Sequence, residues 1–170
     1  MNTAPIKSNQ KPAKSTGDIV VGLHQKAPAN QMTWMILGGK QFMDEQPSSA
    51  LDFLVATGRG VSKSSIENLA EVMDVPMKDM ATLLNLSYKT LSRKKKTDVF
   101  GDLVSSLSIE IAGTVAKGLA VFEDAEVLNR WLHKENKALK GQKPFDLLNT
   151  PTGIKLVNQV LGRIEDGVYS

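Results

Sequence analysis

The sequence predicts an all-α fold. Apolar side chains recur along several segments at the i, i+3, i+4, i+7 spacing of a buried helix face, and no segment alternates apolar and polar residues as a half-buried strand does. Glycine and proline residues separate these segments into lengths that are typical of helices. Because apolar residues make up 41% of the chain and aromatic residues only 5%, we expect a core of Leu, Val, Ile, Ala and Met.

Residues 1–45 are predicted to be flexible or only weakly structured. Residues 1–30 are rich in Lys, Pro, Ser, Asn and Gln, a composition that provides little apolar surface to bury. Residues 34–37 are apolar, and they are interpreted as either a short strand or an anchoring segment.

A helix-turn-helix domain is predicted over residues 46–98, and it begins with two helices. The first has an apolar face at helical spacing and ends at the glycines of residues 58–60. The members of that face are Ala50, Leu51, Leu54 and Val55. The second helix is predicted to begin after Ser64 as its N-cap, with Glu67 in the capping-box position, and to end before Pro76.

Residues 77–96 carry the residue types that a helix-turn-helix needs. Ala81 is small enough for the close crossing of two helices, and Asn85 tolerates the left-handed backbone of the turn better than most residues. Ser87 is a suitable N-cap for the next helix, and Leu91 is predicted to face the core. We therefore expect this next helix to enter the major groove of DNA and to contact base edges.

Positive charge is concentrated in the same segment. Residues 87–96 contain five basic residues and no acidic one, although the formal net charge of the whole chain is only +3. Lys94, Lys95 and Lys96 are expected to favour phosphates, which makes binding salt-dependent. The predicted DNA-contacting residues are Ser87, Tyr88, Lys89, Thr90, Ser92, Arg93, Lys95 and Lys96. A solvated basic helix would carry the same charge, but it would not require the register of Ala81, Asn85 and Ser87.

A second helical module is predicted over residues 99–170. A long helical region ends near Phe122, and it is followed by a helix over about residues 124–136, a single turn at 144–148 and a last helix over 152–165. The last helix is amphipathic, and a short tail of low charge follows it. Such a tail could fill a pocket of a partner or dock on its own domain.

Composition argues against several other classes of protein. The chain has no cysteine, and its two histidines, His24 and His133, are far apart, so no metal site, catalytic residue or cofactor is predicted. Because nucleophile–base pairs, P-loops and dinucleotide fingerprints are missing, we do not expect an enzyme. No apolar run is expected to reach the ~20 residues that cross a bilayer, and no secretory signal is recognised, so we expect a cytoplasmic protein without a membrane partner.

The motifs between residues 48 and 170, taken together, resemble those of the Xre/MbcA/ParS antitoxins of RES–Xre type II toxin–antitoxin systems. The matching segments are LLNLSYKTLSRKKK, VFEDAEVLNRWL, PFDLL, TGIKLVNQVLGRI and the short tail. The resemblance implies an Xre-like helix-turn-helix domain fused to a small helical toxin-binding and dimerisation domain. The sequence departs from the family pattern at Asn85, where glycine is usual, and at residues 94–96, where arginines are common.

The resemblance also implies a partner and a function. The partner is a RES-domain toxin that degrades NAD, and the antitoxins form homodimers within higher-order toxin–antitoxin complexes. They bind operator DNA to repress their own promoter, and their C-terminal end reaches towards the active-site cleft of the toxin. The expected toxin-binding residues are Arg163, Gly167, Val168, Tyr169 and Ser170. The alternative is a stand-alone Xre-type dimeric transcription regulator without a toxin partner.

Overall fold

The computed structural model describes residues 27–168, which form helices around one continuous apolar core. The helices are α1 (Ala29–Ile36), α2 (Ala50–Arg59), α3 (Lys63–Val72), α4 (Met77–Leu83), α5 (Tyr88–Arg93), α6 (Asp102–Phe122), α7 (Ala125–His133), α8 (Pro144–Leu147) and α9 (Pro151–Glu165), with short 3-10 turns at Gly39–Gln41 and Lys137–Leu139. The described residues contain no β-strand, only an isolated bridge between Ser62 and Val99. The predicted all-α class is therefore confirmed.

Helix α6 lies at the centre of the fold and contacts α1, α2, α7 and α9. By length and composition alone its 21 residues could cross a membrane, contrary to the expectation that no apolar run is long enough. However, 61% of the relevant window is buried against the other helices. Burial of this extent is typical of the core helix of a soluble protein, and α6 connects the helix-turn-helix to the C-terminal helices.

The prediction of weak structure over residues 1–45 is wrong for residues 27–45, while residues 1–26 lie outside the described part of the chain. Helix α1 packs against α3 and α6. Its contribution to the core consists of Met32, Ile36 and Leu37. A helix of eight residues has too few apolar positions to display a clear period, so composition alone gave the wrong expectation.

Residues 34–37 are the end of α1 and its C-cap rather than a strand. Trp34 donates a hydrogen bond from Nε1 to the main-chain oxygen of Met43 at 3.0 Å. Because this bond joins the helix to the loop that follows it, and because Ile36 and Leu37 are fully buried, the segment does anchor α1.

Helix α3 begins one residue after Ser62, so the predicted N-cap at Ser64 is wrong. The hydroxyl of Ser62 accepts a hydrogen bond from the backbone N–H of Ser65 at 3.2 Å, which satisfies one of the free donors at the helix start. Glu67 is consequently one turn into the helix, where it pairs with lysines instead of closing a capping box.

Helix α2 forms where its periodicity predicts, but its buried side is the opposite one. Phe53 and Ala56 face the core. The predicted apolar face is exposed to solvent, and it consists of Ala50, Leu51, Leu54 and Val55. Apolar spacing therefore identified the helix without identifying which side packs against α6.

Candidate functional site

The helix-turn-helix consists of α4 and α5, with a turn centred on Asn85. Asn85 has a φ of 55°, and the two N–H groups that follow α4 bond back to it, from Asn85 to Thr82 at 3.1 Å and from Leu86 to Ala81 at 2.9 Å. This pair of bonds is a Schellman motif, which ends a helix and reverses the chain. Ala81 is buried, and the predicted left-handed backbone at Asn85 is confirmed.

Helix α5 is short and presents one side to solvent. Ser87 accepts a hydrogen bond from the backbone N–H of Thr90 at 3.0 Å, as the predicted N-cap, and Leu91 is fully buried. All eight predicted DNA-contacting residues are exposed. Four of them have side chains without a hydrogen bond or ion pair to any other residue of 27–168, and these are Tyr88, Lys89, Arg93 and Lys95.

The C-terminal end of α5 is held by Lys63, a residue that the sequence analysis did not single out. Its Nζ donates to the main-chain oxygens of Ser92 at 3.3 Å and Lys94 at 3.0 Å. Carbonyl groups at a helix end lack backbone partners, and the helix dipole favours a cation there. The carboxylate oxygens of Glu67 lie 3.8 Å from the Nζ of Lys63 and 3.8 Å from the Nζ of Lys96. The sequence shows only the i, i+4 spacing of Lys63 and Glu67. The contacts of Lys63 with the end of α5 join residues that are far apart in the chain, so no local pattern reveals them.

The lysines after α5 have different surroundings. The helix ends at Arg93, and Lys94 turns inward, where its Nζ donates to the main-chain oxygen of Val99 at 3.0 Å and lies 4.9 Å from the centre of the Phe100 ring. Lys95 and Lys96 remain exposed. The basic surface therefore consists of the exposed side of α5 and these two lysines, without Lys94.

The chain leaves α9 through a second Schellman motif. Gly167 has a φ of 71°, and its N–H donates to the oxygen of Ile164 at 3.0 Å, while the N–H of Val168 donates to the oxygen of Arg163 at 2.8 Å. Because a left-handed residue at this position redirects the backbone, Val168 does not continue the helix axis.

The predicted toxin-binding residues lie at this turn as far as the structure describes them. Arg163, Gly167 and Val168 are exposed and adjacent. Tyr169 and Ser170 lie outside the described residues. The three described members therefore form one accessible corner of the C-terminal domain.

A groove of about 880 Å³ between α6 and α9 adjoins Arg163. It is lined by three basic residues, among them Lys117, whose Nζ donates to the main-chain oxygen of Asn158 at 3.2 Å. The side-chain amide of Asn158 in turn donates to Thr114 Oγ1 at 3.0 Å. Sequence reasoning missed this groove, because its two walls are more than 30 residues apart in the chain.

The described residues form surfaces that are suited to binding partner molecules. Within residues 27–168, no three His, Cys, Asp or Glu side chains converge as metal ligands would. His133 stacks on Phe145 with ring centroids 4.7 Å apart, and its Nδ1 lies 2.9 Å from the main-chain oxygen of Asn129. This histidine is therefore engaged in packing within the C-terminal domain.

Comparison with known proteins identifies both domains. Residues 52–113 match the family model of the antitoxin Xre-like helix-turn-helix domain, and residues 117–167 match that of the antitoxin Xre/MbcA/ParS C-terminal toxin-binding domain. The two matches meet within α6. A protein from Sphingobium sp. (strain YBL2), named Prs ADP-ribosylating antitoxin, is 27% identical in an alignment of 136 residues that covers 72% of this chain and 84% of the relative. The resemblance to the Xre/MbcA/ParS antitoxins that was inferred from the motifs is confirmed.

Proposed function

Since the chain belongs to the Xre/MbcA/ParS family of antitoxins, we propose that it neutralises a RES-domain toxin that degrades NAD and that it represses its own promoter. It acts by binding, without turnover, in the cytoplasm. It forms a homodimer within a higher-order toxin–antitoxin complex on operator DNA. The observation that supports this function best is the presence, in one chain, of a helix-turn-helix domain with an exposed α5 and a matched toxin-binding domain, each of which includes part of the central helix α6.

The name of the Sphingobium relative supports a toxin that consumes NAD. That relative is named for ADP-ribosylation. ADP-ribosyl transfer from NAD and hydrolysis of NAD break the same bond, the one between nicotinamide and ribose. A toxin with either activity needs a cleft that holds NAD, and we propose that the present chain blocks such a cleft.

The blocking segment is proposed to comprise Arg163, Gly167, Val168, Tyr169 and Ser170. The Schellman motif gives the backbone one direction of departure from α9, which favours a tail that is presented to a partner. The Arg163 guanidinium can form a bidentate pair with a toxin carboxylate. The side chains of residues 167–170 carry no charge, so they can enter a cleft without a large desolvation cost.

Promoter binding is proposed to use the exposed side of α5 for base contacts, with Lys95 and Lys96 on phosphates. A six-residue recognition helix reads only a few base pairs. A homodimer would therefore read two half-sites, separated by one helical turn of DNA or a multiple of it.

The proposed function is tested by co-expressing the chain with the product of its neighbouring gene and purifying through this chain alone. We expect a toxin to co-purify, to leave NAD intact in the complex, and to consume NAD once the chain is removed. The chain alone should leave NAD intact and should shift its own promoter DNA. Isolation of the chain without a partner, as a dimer that still shifts this DNA, would instead establish a stand-alone regulator.

A further inference from the structure

An apolar seam runs along the solvent side of α2. Leu51, Leu54 and Val55 are 70%, 68% and 58% exposed. Gly58 is also exposed, and no heavy atom lies within 4 Å of the place that a Cβ would occupy there. These four residues have i, i+3, i+4, i+7 spacing and therefore share one face of the helix. A contiguous exposed apolar face of this kind is typical of an interaction surface.

We propose that two copies of the chain meet at this seam, with their α2 helices antiparallel across a twofold axis. The inference rests on the proposed function, which includes a homodimer, and it places the dimer surface on the helix-turn-helix domain rather than on the C-terminal domain that the resemblance implies. A twofold interface must be complementary to itself, and both the shape and the charge of α2 meet this requirement.

The shape of the seam suits an antiparallel pair. A twofold axis that passes between Leu54 and Val55 brings Leu51 of one copy opposite Gly58 of the second copy. A large side chain then faces a position without a side chain, so the two helices can approach closely and interdigitate. The two leucines at position 54 lie next to each other beside the axis.

The charges beside the seam favour the same orientation. Asp52 and Arg59 lie on the same flank of α2, and both line a groove of about 530 Å³ together with Asp44 and Glu45. Within residues 27–168, Arg59 forms no ion pair. In an antiparallel pair, the flank that carries Asp52 and Arg59 lies on the same side of both helices. Arg59 of each copy therefore lies near Asp52 of the other. A parallel pair would put these flanks on opposite sides. Antiparallel helices also align opposite ends of their dipoles.

The absence of cysteine from the chain makes a single-cysteine test possible in the intact chain. We expect Leu54→Cys to form a covalent dimer in high yield on mild oxidation, because the two side chains adjoin the axis. Gln142→Cys is the matched control, since Gln142 is exposed on the C-terminal domain away from α2, and it should remain uncrosslinked.

A second variant, Leu51→Glu with Leu54→Glu, should raise the dimer dissociation constant by at least roughly 100-fold, because it brings four carboxylates into an apolar interface. Analytical ultracentrifugation measures this change. The helical circular dichroism should be unchanged, because both side chains are exposed in a single copy. Co-purification with the toxin should persist if the seam serves only the homodimer.

Several outcomes would overturn the proposal that the seam forms the dimer interface. One is a double-glutamate variant that dimerises as tightly as the wild type, and another is a variant that stays dimeric but loses the toxin. A third is a wild-type monomer that dimerises only after residues 1–26 are removed, since this would identify those residues as the cover of the seam. If the chain crosslinks at position 54 but no toxin co-purifies with it, the seam is upheld and the proposed function is rejected. Failure of the seam and failure of the proposed function are therefore distinguishable.

Discussion

The side-chain amide of Asn85 donates a hydrogen bond to the main-chain oxygen of Asn149, with an Nδ2–O distance of 2.9 Å. Asn85 forms the turn of the helix-turn-helix, whereas Asn149 lies in the loop before α9, 64 residues further along the chain. Glycine could adopt the same backbone but could not make the bond. Asn85 therefore joins the turn of the helix-turn-helix to the toxin-binding domain.

Two substitutions at Asn85 separate its backbone role from its bridging role. Asn85→Gly keeps the left-handed turn and removes the hydrogen bond, so we expect it to lower the free energy of unfolding by no more than about 1 kcal/mol. Asn85→Ala also removes the bond, but it keeps a Cβ in the left-handed region without the polar side chain that lets Asn tolerate this backbone, which costs about 1–2 kcal/mol more than the glycine variant. Urea unfolding measures both. Equal stability of the two variants would contradict the backbone role.

The elements that sequence reasoning predicted well are those with local physical causes. The turn at Asn85, the N-cap at Ser87 and the buried Leu91 each depend on residues within one helix turn, so residue type and spacing were sufficient. The same local reasoning failed at Ser64, because three serines within residues 62–65 offer several possible caps.

The features that could not be predicted depend on contacts between distant parts of the chain. The support of α5 by Lys63 joins residues about 30 apart. The outward orientation of Leu51 and Leu54 depends on which side of α2 meets α6, and periodicity is the same for either side. The burial of α1 likewise depends on α3 and α6, which no local pattern reveals.

Base and phosphate contacts should respond differently to matched lysine substitutions. Lys89→Ala, within α5, should reduce discrimination at one operator base pair by about 1–3 kcal/mol. Lys95→Ala, beyond the helix, should weaken binding to all DNA sequences by the same factor. It should also reduce the slope of log K against log salt by about 1. Fluorescence anisotropy over a salt series, with matched and mutated operators, measures both. If the two variants behave alike, α5 does not read the bases.

Removal of the Lys63 ammonium should loosen α5 from a distance. Lys63→Met keeps the aliphatic stem but loses both hydrogen bonds to carbonyl groups, so we expect a loss of about 1–2 kcal/mol in unfolding free energy. Operator affinity should also fall, because the recognition helix is no longer held. Lys134→Met, at an exposed position on the C-terminal domain, is the control and should affect neither quantity. An unchanged operator affinity for Lys63→Met would show that this helix end needs no support.

The start of α2 should give stability a pH dependence. Backbone N–H groups of Ser49 and Ser48 donate to Asp52 Oδ2 at 2.9 and 2.7 Å, and these bonds lower the pKa of Asp52. Because the folded pKa lies below the unfolded one, this stabilisation is present above about pH 4 and is lost as the pH falls through the lowered pKa. The stability difference between wild type and Asp52→Asn should therefore shrink in acid. Urea unfolding at several pH values tests this, and a constant difference would rule it out.

The proposed role of the tail can be tested by deleting it and by changing the turn at Gly167 that precedes it. Deletion of residues 168–170 should weaken neutralisation of the toxin and leave DNA binding unchanged. Gly167→Ala meets no atom within 4 Å but must keep a φ of 71°, a strain of about 1–2 kcal/mol that favours another backbone direction. We therefore expect toxin affinity to fall by up to roughly tenfold.

Gly141→Ala is the matched control for this substitution, since Gly141 has a φ of 82° and equally open surroundings in a loop between α7 and α8. It carries the same backbone strain away from the tail, so toxin affinity should not change. The readout is the rate of NAD loss by the toxin titrated with each variant. If the deletion and Gly167→Ala both neutralise as the wild type does, the toxin must be held elsewhere, and the groove between α6 and α9 becomes the surface to mutate, beginning with Lys117.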